Sequence, residues 1–153
     1  MPCHSAIVGK NVTASPNDSV ENVLKAIKKG NVKAASIMND DGEFVGIFSL
    51  KVLLKNLIPV SVAMADGIQI DIKVQAAPGI AKRLGKVMPL PVSELMDRKP
   101  KTVLSDDPIW EGVGQLTKNG EPLCVIDDKG KYLGMITYES LVEDLQNMET
   151  TDS

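Results

Sequence analysis

Two distant stretches of this chain spell one hairpin. Residues 40–49 read DDGEFVGIFS, and residues 127–137 read DDKGKYLGMIT. Each runs through acidic residues, a glycine, a charged residue, an aromatic, an aliphatic, a second glycine, two apolar residues and a hydroxyl. Sliding the chain by 89 residues places TASPNDSVENVLKAI (Thr13 to Ile27) on TVLSDDPIWEGVGQL (Thr102 to Leu116). Sliding it by 88 places Gly42, Gly46 and Ser49 on Gly130, Gly134 and Thr137. An ordered series repeated at offsets that differ by a single lost residue is the mark of a duplicated structural unit, and it constrains the fold more than any single motif.

Each copy reads as strand, helix, strand, hairpin, strand, helix. In the first, Asp18 and Glu21 have the spacing of a capping box, and Val20, Val23, Leu24 and Ile27 recur on one helical face. Gly30 is the expected helix stop. AASIM is a short buried strand, and NDDG is a turn, because Asn, Asp and Gly tolerate positive φ. EFVGIFS returns, and Val52, Leu53, Leu54 and Leu57 mark a closing helix. In the second copy Asp107 is the expected cap, with Pro108 at the first helical position. Ile109, Val113 and Leu116 repeat the apolar stripe. PLCVI, DDKG, KYLGMIT and a helix carrying Leu141, Val142 and Leu145 complete it.

One unit of about 50 residues buries too little surface to stand alone. The expected fold class is therefore α/β (α+β), with two β-α-β-β-α repeats packed sheet to sheet about a pseudo-twofold axis. Ile37, Ile47, Val125 and Ile136 are expected core residues. The copies span 1–58 and 92–148, with an insert over 59–91 and a disordered tail over 149–153. In the insert, Ile68, Ile70, Ile72 and Val74 alternate at period two and predict a strand. A short helix then starts at Pro78, turns Ile80, Leu84, Val87 and Met88 inward, and exposes Lys82, Arg83 and Lys86. PVSELM reads as one more helical turn.

The composition limits function. Seventeen basic against twenty acidic residues argue against a dedicated nucleic-acid binder. No apolar run approaches the length of a membrane span, and the first residues lack the pattern of a signal peptide. Two cysteines, Cys3 and Cys124, make no disulfide framework, which fits a reducing cytoplasm. The sole histidine, His4, lies outside the body of the repeats, so no Ser-His or Cys-His pair is expected there. His4 beside Cys3 lacks the four converging ligands of a structural zinc site. No glycine-rich phosphate loop appears. No enzyme activity and no metal are expected.

The order and spacing of PVSELMDRKPKTVLSDDPIWEGV, GIFSLKVL and GMITYESL resemble a tandem pair of cystathionine-β-synthase (CBS) domains, a Bateman module. The resemblance covers nearly the whole chain outside the insert and tail. It implies a regulatory protein whose inter-repeat cleft takes an adenosine-containing ligand such as AMP, ATP or S-adenosylmethionine. It also implies a homodimer formed through helices and an unidentified regulated protein; the charge balance and the lack of a long apolar run leave neither nucleic acid nor membrane as an expected partner. Here the helices beginning at Val20 and Ile109, with Trp110 nearby, are the expected dimer surface.

The family's ligand signature is a glycine, two apolar residues, Thr or Ser, two variable residues and an aspartate. Gly46 with Ser49 and Gly134 with Thr137 match it. The aspartate position is Val52 in one copy and Ser140 in the other, so both carboxylates are absent. Two hydroxyls survive on one turn in the second copy, which places the expected ligand beside Thr137 and Ser140 rather than Ser49 and Val52. Arg98, Lys99 and Lys101 precede that copy's first strand and are expected to meet phosphates, while Leu123 and Val125 would flank an adenine. Thr13 and Thr102, the matched threonines at the start of each copy, complete the candidate set. Ser49 and Thr137 each precede a helix and equally fit N-caps. A scaffold that has lost nucleotide binding is the alternative function.

Overall fold

The two hairpins fold identically, atom for atom in their turns. In the computed structural model, which describes residues 2–57 and 70–152, the Asn39 side-chain oxygen accepts the backbone N–H of Asp41 and Glu43. Asp127 accepts those of Lys129 and Lys131 in the same way. Gly42 and Gly130 close the turns at φ 79° and 84°, where a side chain is strained. Both preceding strands slip register at one place, between Ile37 and Met38 and between Val125 and Ile126.

The first repeat comprises β1 (Thr13–Ala14), α1 (Val20–Gly30), β2 (Ala34–Met38), β3 (Phe44–Ser49) and α2 (Leu50–Leu57). The connecting segment contributes α3 (Ile70–Val87). The second repeat comprises β4 (Thr102–Leu104), α4 (Ile109–Asn119), β5 (Leu123–Ile126), β6 (Tyr132–Ile136) and α5 (Tyr138–Asp152). Each sheet has three strands, ordered β1-β2-β3 and β4-β5-β6, with a parallel then an antiparallel pairing.

Alternation along the strands sorts the core into three layers. Ala35, Ile37 and Phe48 face α1 and α2, where they join Val20, Val23, Ile27 and Leu53. Leu123, Val125 and Ile136 face the helices of the second repeat with Leu116 and Leu141. The opposite faces meet each other through Ala34, Ile47, Cys124 and Met135. Phe44 stacks on Tyr132 across this interface with ring centroids 3.9 Å apart and planes 5° from parallel. Such a pair adds about 0.5–1.5 kcal/mol beyond its area burial. The hydroxyls of Ser36 and Tyr132 share a hydrogen bond of 2.7 Å. The expected sheet-to-sheet packing holds, and Ile37, Ile47, Val125 and Ile136 are all buried.

Each repeat takes its lead-in segment from the chain that precedes the other repeat. The N-terminal 3₁₀ turn Cys3–Ala6 packs on the second repeat, with Cys3 and Ala6 buried in that core. The 3₁₀ turn Val92–Glu94 and the residues after it pack on the first repeat, where Val92, Leu95 and Met96 are buried. Two crossings fix the exchange. Ile47 and Asp97 trade backbone hydrogen bonds of 3.0 and 2.9 Å, and Val8 donates to the Met135 carbonyl at 2.9 Å. The motif glycines make room for them. A Cβ on Gly46 would lie 2.6 Å from the Asp97 carbonyl oxygen, and one on Gly134 would lie 2.5 Å from the Ile7 side chain. The repeated hairpin therefore keeps its second glycine because another strand of chain crosses it.

Several local expectations are corrected. Asp18 does not cap α1; it closes the turn before it by accepting Ser15 N–H at 3.0 Å, and Ser19 caps by accepting Asn22 N–H at 3.1 Å. Asp107 does the same, accepting Leu104 N–H at 3.0 Å, and Pro108 is the extended N-cap residue of α4 rather than its first helical position, with no side-chain cap. Asn31, at φ 52°, is the left-handed residue that ends α1, not Gly30. The strand expected from Ile70 onward is helix α3, because both sheets pair only their own strands among the described residues and leave such a strand no neighbour. Ile68 lies outside the described residues. Pro78 falls inside that helix rather than at its start. The expected inward face is right, since Val87 is buried and Ile80, Leu84 and Met88 pack on the first core. Residues 149–152 continue α5 instead of forming a disordered tail, as no glycine or proline follows Met148 to stop the helix.

The exposed apolar positions expected on the helix beginning at Val20 are not found. The apolar residues of α1 are all buried, so that helix offers no contact surface of this kind. On α4 Trp110 is 66% exposed. Among the described residues the other exposed large apolar side chains on helices are Leu50 and Leu54 on α2 and Tyr138, Val142 and Leu145 on α5.

Candidate functional site

The exchanged lead-in segments create two related clefts between the repeats. In the first, the start of α2 with Ser49, Lys51, Val52 and Lys55 faces Asp97, Lys99 and Lys101 and the loop 119–122, around a cavity of about 410 Å³. In the second, the start of α5 with Thr137, Glu139, Ser140 and Glu143 faces residues 8–11 and the loop 31–34, around about 270 Å³. A shallower groove of about 410 Å³ shares Ser49, Lys51 and Glu121 with the first cleft and Val32 and Lys33 with the second. Each cleft thus combines the hydroxyl motif of one repeat with the lead-in segment of the other.

This pairing separates residues that the sequence reading put together. Thr137 and Ser140 share the second cleft, but Lys101 lines the first, opposite Ser49. Arg98 lines neither; its guanidinium donates to the Ser93 carbonyl at 3.0 Å and secures the 3₁₀ turn. Thr13 and Thr102 are exposed at strand starts and line no described cavity. Leu123 and Val125 are core residues rather than cleft walls, because their side of β5 faces the helices. Lys51, Lys55, Glu139 and Glu143 were missed as cleft residues. The 88-residue offset that aligns the hydroxyls also aligns Lys51 with Glu139 and Lys55 with Glu143.

Both motif hydroxyls are N-caps. Ser49 is buried and accepts Val52 N–H at 3.3 Å. Thr137 is buried and accepts Ser140 N–H at 3.1 Å. The Ser140 hydroxyl returns the bond by accepting Thr137 N–H at 2.9 Å and donates to the Thr137 carbonyl at 3.1 Å. Ser140 is therefore occupied by the helix start. Ser49 and Thr137 each accept a backbone N–H and keep an O–H hydrogen to donate into the cleft.

The titrating groups nearest the inter-sheet layer are held neutral. Burial pushes the Cys124 thiol up to about 12, with Asp97 adding to the effect. Burial likewise pushes the Tyr132 phenol up to about 12, against the opposing hydrogen bond from Ser36. Burial raises the Cys3 thiol as well. A thiol held protonated is a poor nucleophile at neutral pH. Among the described residues no group of three or more His, Cys, Asp or Glu side chains converges as a metal site. No helix among them is long and apolar enough to cross a membrane.

Paired three-stranded sheets, exchanged lead-in segments and two hydroxyl-capped clefts define a tandem-repeat module. The family model for the CBS domain matches residues 5–59 and 92–147, and the chain belongs to the CBS-domain family. An uncharacterized protein of Methanocaldococcus jannaschii is 24% identical over 148 residues, covering 91% of this chain and 88% of that one. The crystal structure of CBSX2 in complex with AMP superposes with a TM-score of 0.69 at 20% identity, covering 97% of this chain and 98% of that one. A CBS domain protein from Pyrobaculum aerophilum complexed with AMP superposes at 0.67 and 17% identity, covering 98% and 99%. These structures share the fold of this chain.

Proposed function

We propose that this protein is a non-catalytic regulatory module of the cytoplasm that senses an adenosine-containing ligand in its inter-repeat clefts. The observation that carries this reading is the build of those clefts. In each, a buried hydroxyl at a helix start, with an O–H hydrogen to donate, opposes the other repeat's lead-in segment. The AMP complexes of two proteins with the same fold support adenosine as the ligand class. Because each cleft is walled by both repeats, a ligand that fits one spacing of the repeats better than another shifts the population toward it. A partner protein reads that shift.

Two copies associate through α2 and α5. Leu50 and Leu54 on one helix and Tyr138, Val142 and Leu145 on the other are the exposed apolar residues that support this contact. The two buried, unpaired cysteines fit a reducing compartment.

A thermal-shift screen with AMP, ADP, ATP and S-adenosylmethionine tests the reading. A ligand at 100 times its dissociation constant adds about 2.7 kcal/mol of stability. For a domain of this size that is roughly 5–10 °C in melting temperature. The absence of a shift with all four would favour the scaffold reading. That second reading has its own support in Val52 and in the engaged Ser140 hydroxyl, which leave no carboxylate at the signature position of either repeat for a ribose diol.

A further inference from the structure

The two clefts are built from equivalent positions and carry opposite helix charges. Lys51 and Lys55 project from α2 into the first cleft, and their counterparts Glu139 and Glu143 project from α5 into the second. Lys99 and Lys101 add two more ammonium groups to the first cleft from the lead-in segment. The carboxylates there, Asp97 and Glu121, are both held by the fold. Asp97 accepts Lys99 N–H at 3.0 Å, and Glu121 accepts Tyr138 N–H at 2.9 Å. Four lysines against two carboxylates give the first cleft a formal charge of +2. Lys10 and Lys33 against Glu139 and Glu143 leave the second neutral. Among the described residues the sole ion pair is Lys25–Glu21, so none of the four lysines forms an ion pair with a described residue. Lys51 donates to the Asn119 carbonyl at 3.2 Å, which holds its ammonium at the mouth of the cavity.

We infer that the first cleft is a site for a phosphate chain, and that it selects ligands by the number of phosphates they carry. Four lysines lining about 410 Å³ offer charge-assisted donors to several phosphoryl oxygens, and the Ser49 hydroxyl adds one neutral donor. A di- or triphosphate chain offers more charged oxygens than a single phosphate to lysines that line the cavity from both α2 and residues 97–101. The second cleft, neutral overall and with two glutamates on its helix, lacks this positive excess. The inference rests on the reading of the inter-repeat clefts as ligand sites and names which one takes the polyanion.

The test is calorimetric titration of the whole protein with adenosine, AMP, ADP, ATP and inorganic tripolyphosphate, at low and high sodium chloride. Affinity is expected to rise at each added phosphate and to fall with salt. The double variant Lys51→Gln/Lys55→Gln should weaken ATP and tripolyphosphate by roughly tenfold or more, as expected for lost charged hydrogen bonds. Lys82→Gln/Lys86→Gln removes the same charge from exposed positions that line no described cavity, and it should stay within about twofold of wild type. All four positions are exposed on helices, and unchanged melting curves confirm folding. Equal affinity for AMP and ATP, or a silent Lys51/Lys55 variant, overturns the inference. If AMP binds in a manner abolished by Thr137→Ala alone, the sensor reading stands and this inference falls. If tripolyphosphate binds as tightly as ATP and adenosine adds nothing, this inference stands and the adenosine reading falls. If none of the five binds, both fall.

Discussion

Replacing Gly46 by alanine should loosen the joint between the repeats. The new methyl carbon would sit 2.6 Å from the Asp97 carbonyl oxygen and 3.3 Å from the Met96 sulfur. Ordinary contact begins at 3.4 Å, so the Asp97 backbone must withdraw by about 0.8 Å. That same oxygen accepts Ile47 N–H at 3.0 Å, and Asp97 N–H returns to the Ile47 carbonyl at 2.9 Å. A displacement of this size carries both bonds out of hydrogen-bonding range. At about 1 kcal/mol net per bond the cost is about 2 kcal/mol. The melting temperature should fall by roughly 4–8 °C for a domain of this size. Circular dichroism melts at one fixed protein concentration measure it. Gly114→Ala is the control, because that glycine lies within α4 with nothing within 4 Å of a built Cβ. It should match or slightly exceed wild type, since alanine favours helix. A Gly46→Ala protein that melts within about 1 °C of wild type would refute the claim that the glycine exists for the crossing.

Other outcomes follow from the same structure. Thr137→Ala removes a reciprocal cap and should cost about 1 kcal/mol even without ligand, read as a urea midpoint shift at unchanged slope. Leu54→Glu with Val142→Glu should turn a dimer at tens of micromolar into a monomer by light scattering while leaving the melt of the fold nearly unchanged, because both side chains are more than half exposed. Stability should decline in alkali. The Tyr132 phenol is raised from 10.0 to about 12 on folding and Cys124 from 9.0 to about 12, so both hold their protons longer in the folded state. Their contribution is complete below the unfolded values and is lost as pH climbs toward the folded ones. Tyr132→Phe should flatten the upper part of that decline in urea titrations between pH 9 and 12, though it also costs about 1 kcal/mol by stranding the Ser36 hydroxyl.

The repeat was legible because duplicated turns, caps and apolar stripes are local. Asn39 and Asp127 mark turns by their own side-chain chemistry, and Val20 through Ile27 mark a helix by spacing alone. The membership of each cleft was not legible. Lys101 and Thr137 belong to one copy in sequence, and nothing in their spacing tells that residues 97–101 cross to the other copy's hydroxyl. The strand PLCVI is apolar throughout, so its alternation could not reveal that Cys124 faces the other sheet while Leu123 and Val125 face helices. At Ile70, Ile72 and Val74 a period-two pattern was real, but a strand also needs an open partner edge, which no local pattern encodes. The charge inversion between Lys51, Lys55 and Glu139, Glu143 was present in the aligned copies. Its meaning came only when both pairs were seen to occupy the walls of cavities.

The exchange of lead-in segments also bears on how such a molecule is divided and inherited. Cys3 and Ala6 complete the core of the far repeat, and Val92, Leu95 and Met96 complete the core of the near one. A cut between Leu57 and Ile70 therefore yields two fragments that each carry the other's missing piece. Mixed together, they should reassemble by trading arms, as swapped protomers do, whereas either fragment alone has a hole in its core. A polypeptide with one such repeat would face the same geometry and could satisfy it by swapping its arm with a second copy. Fusing the two copies into one polypeptide replaces a bimolecular meeting by a tethered one at high effective concentration. Within one polypeptide the two halves need not be identical, and here equivalent helix positions carry lysine in one cleft and glutamate in the other.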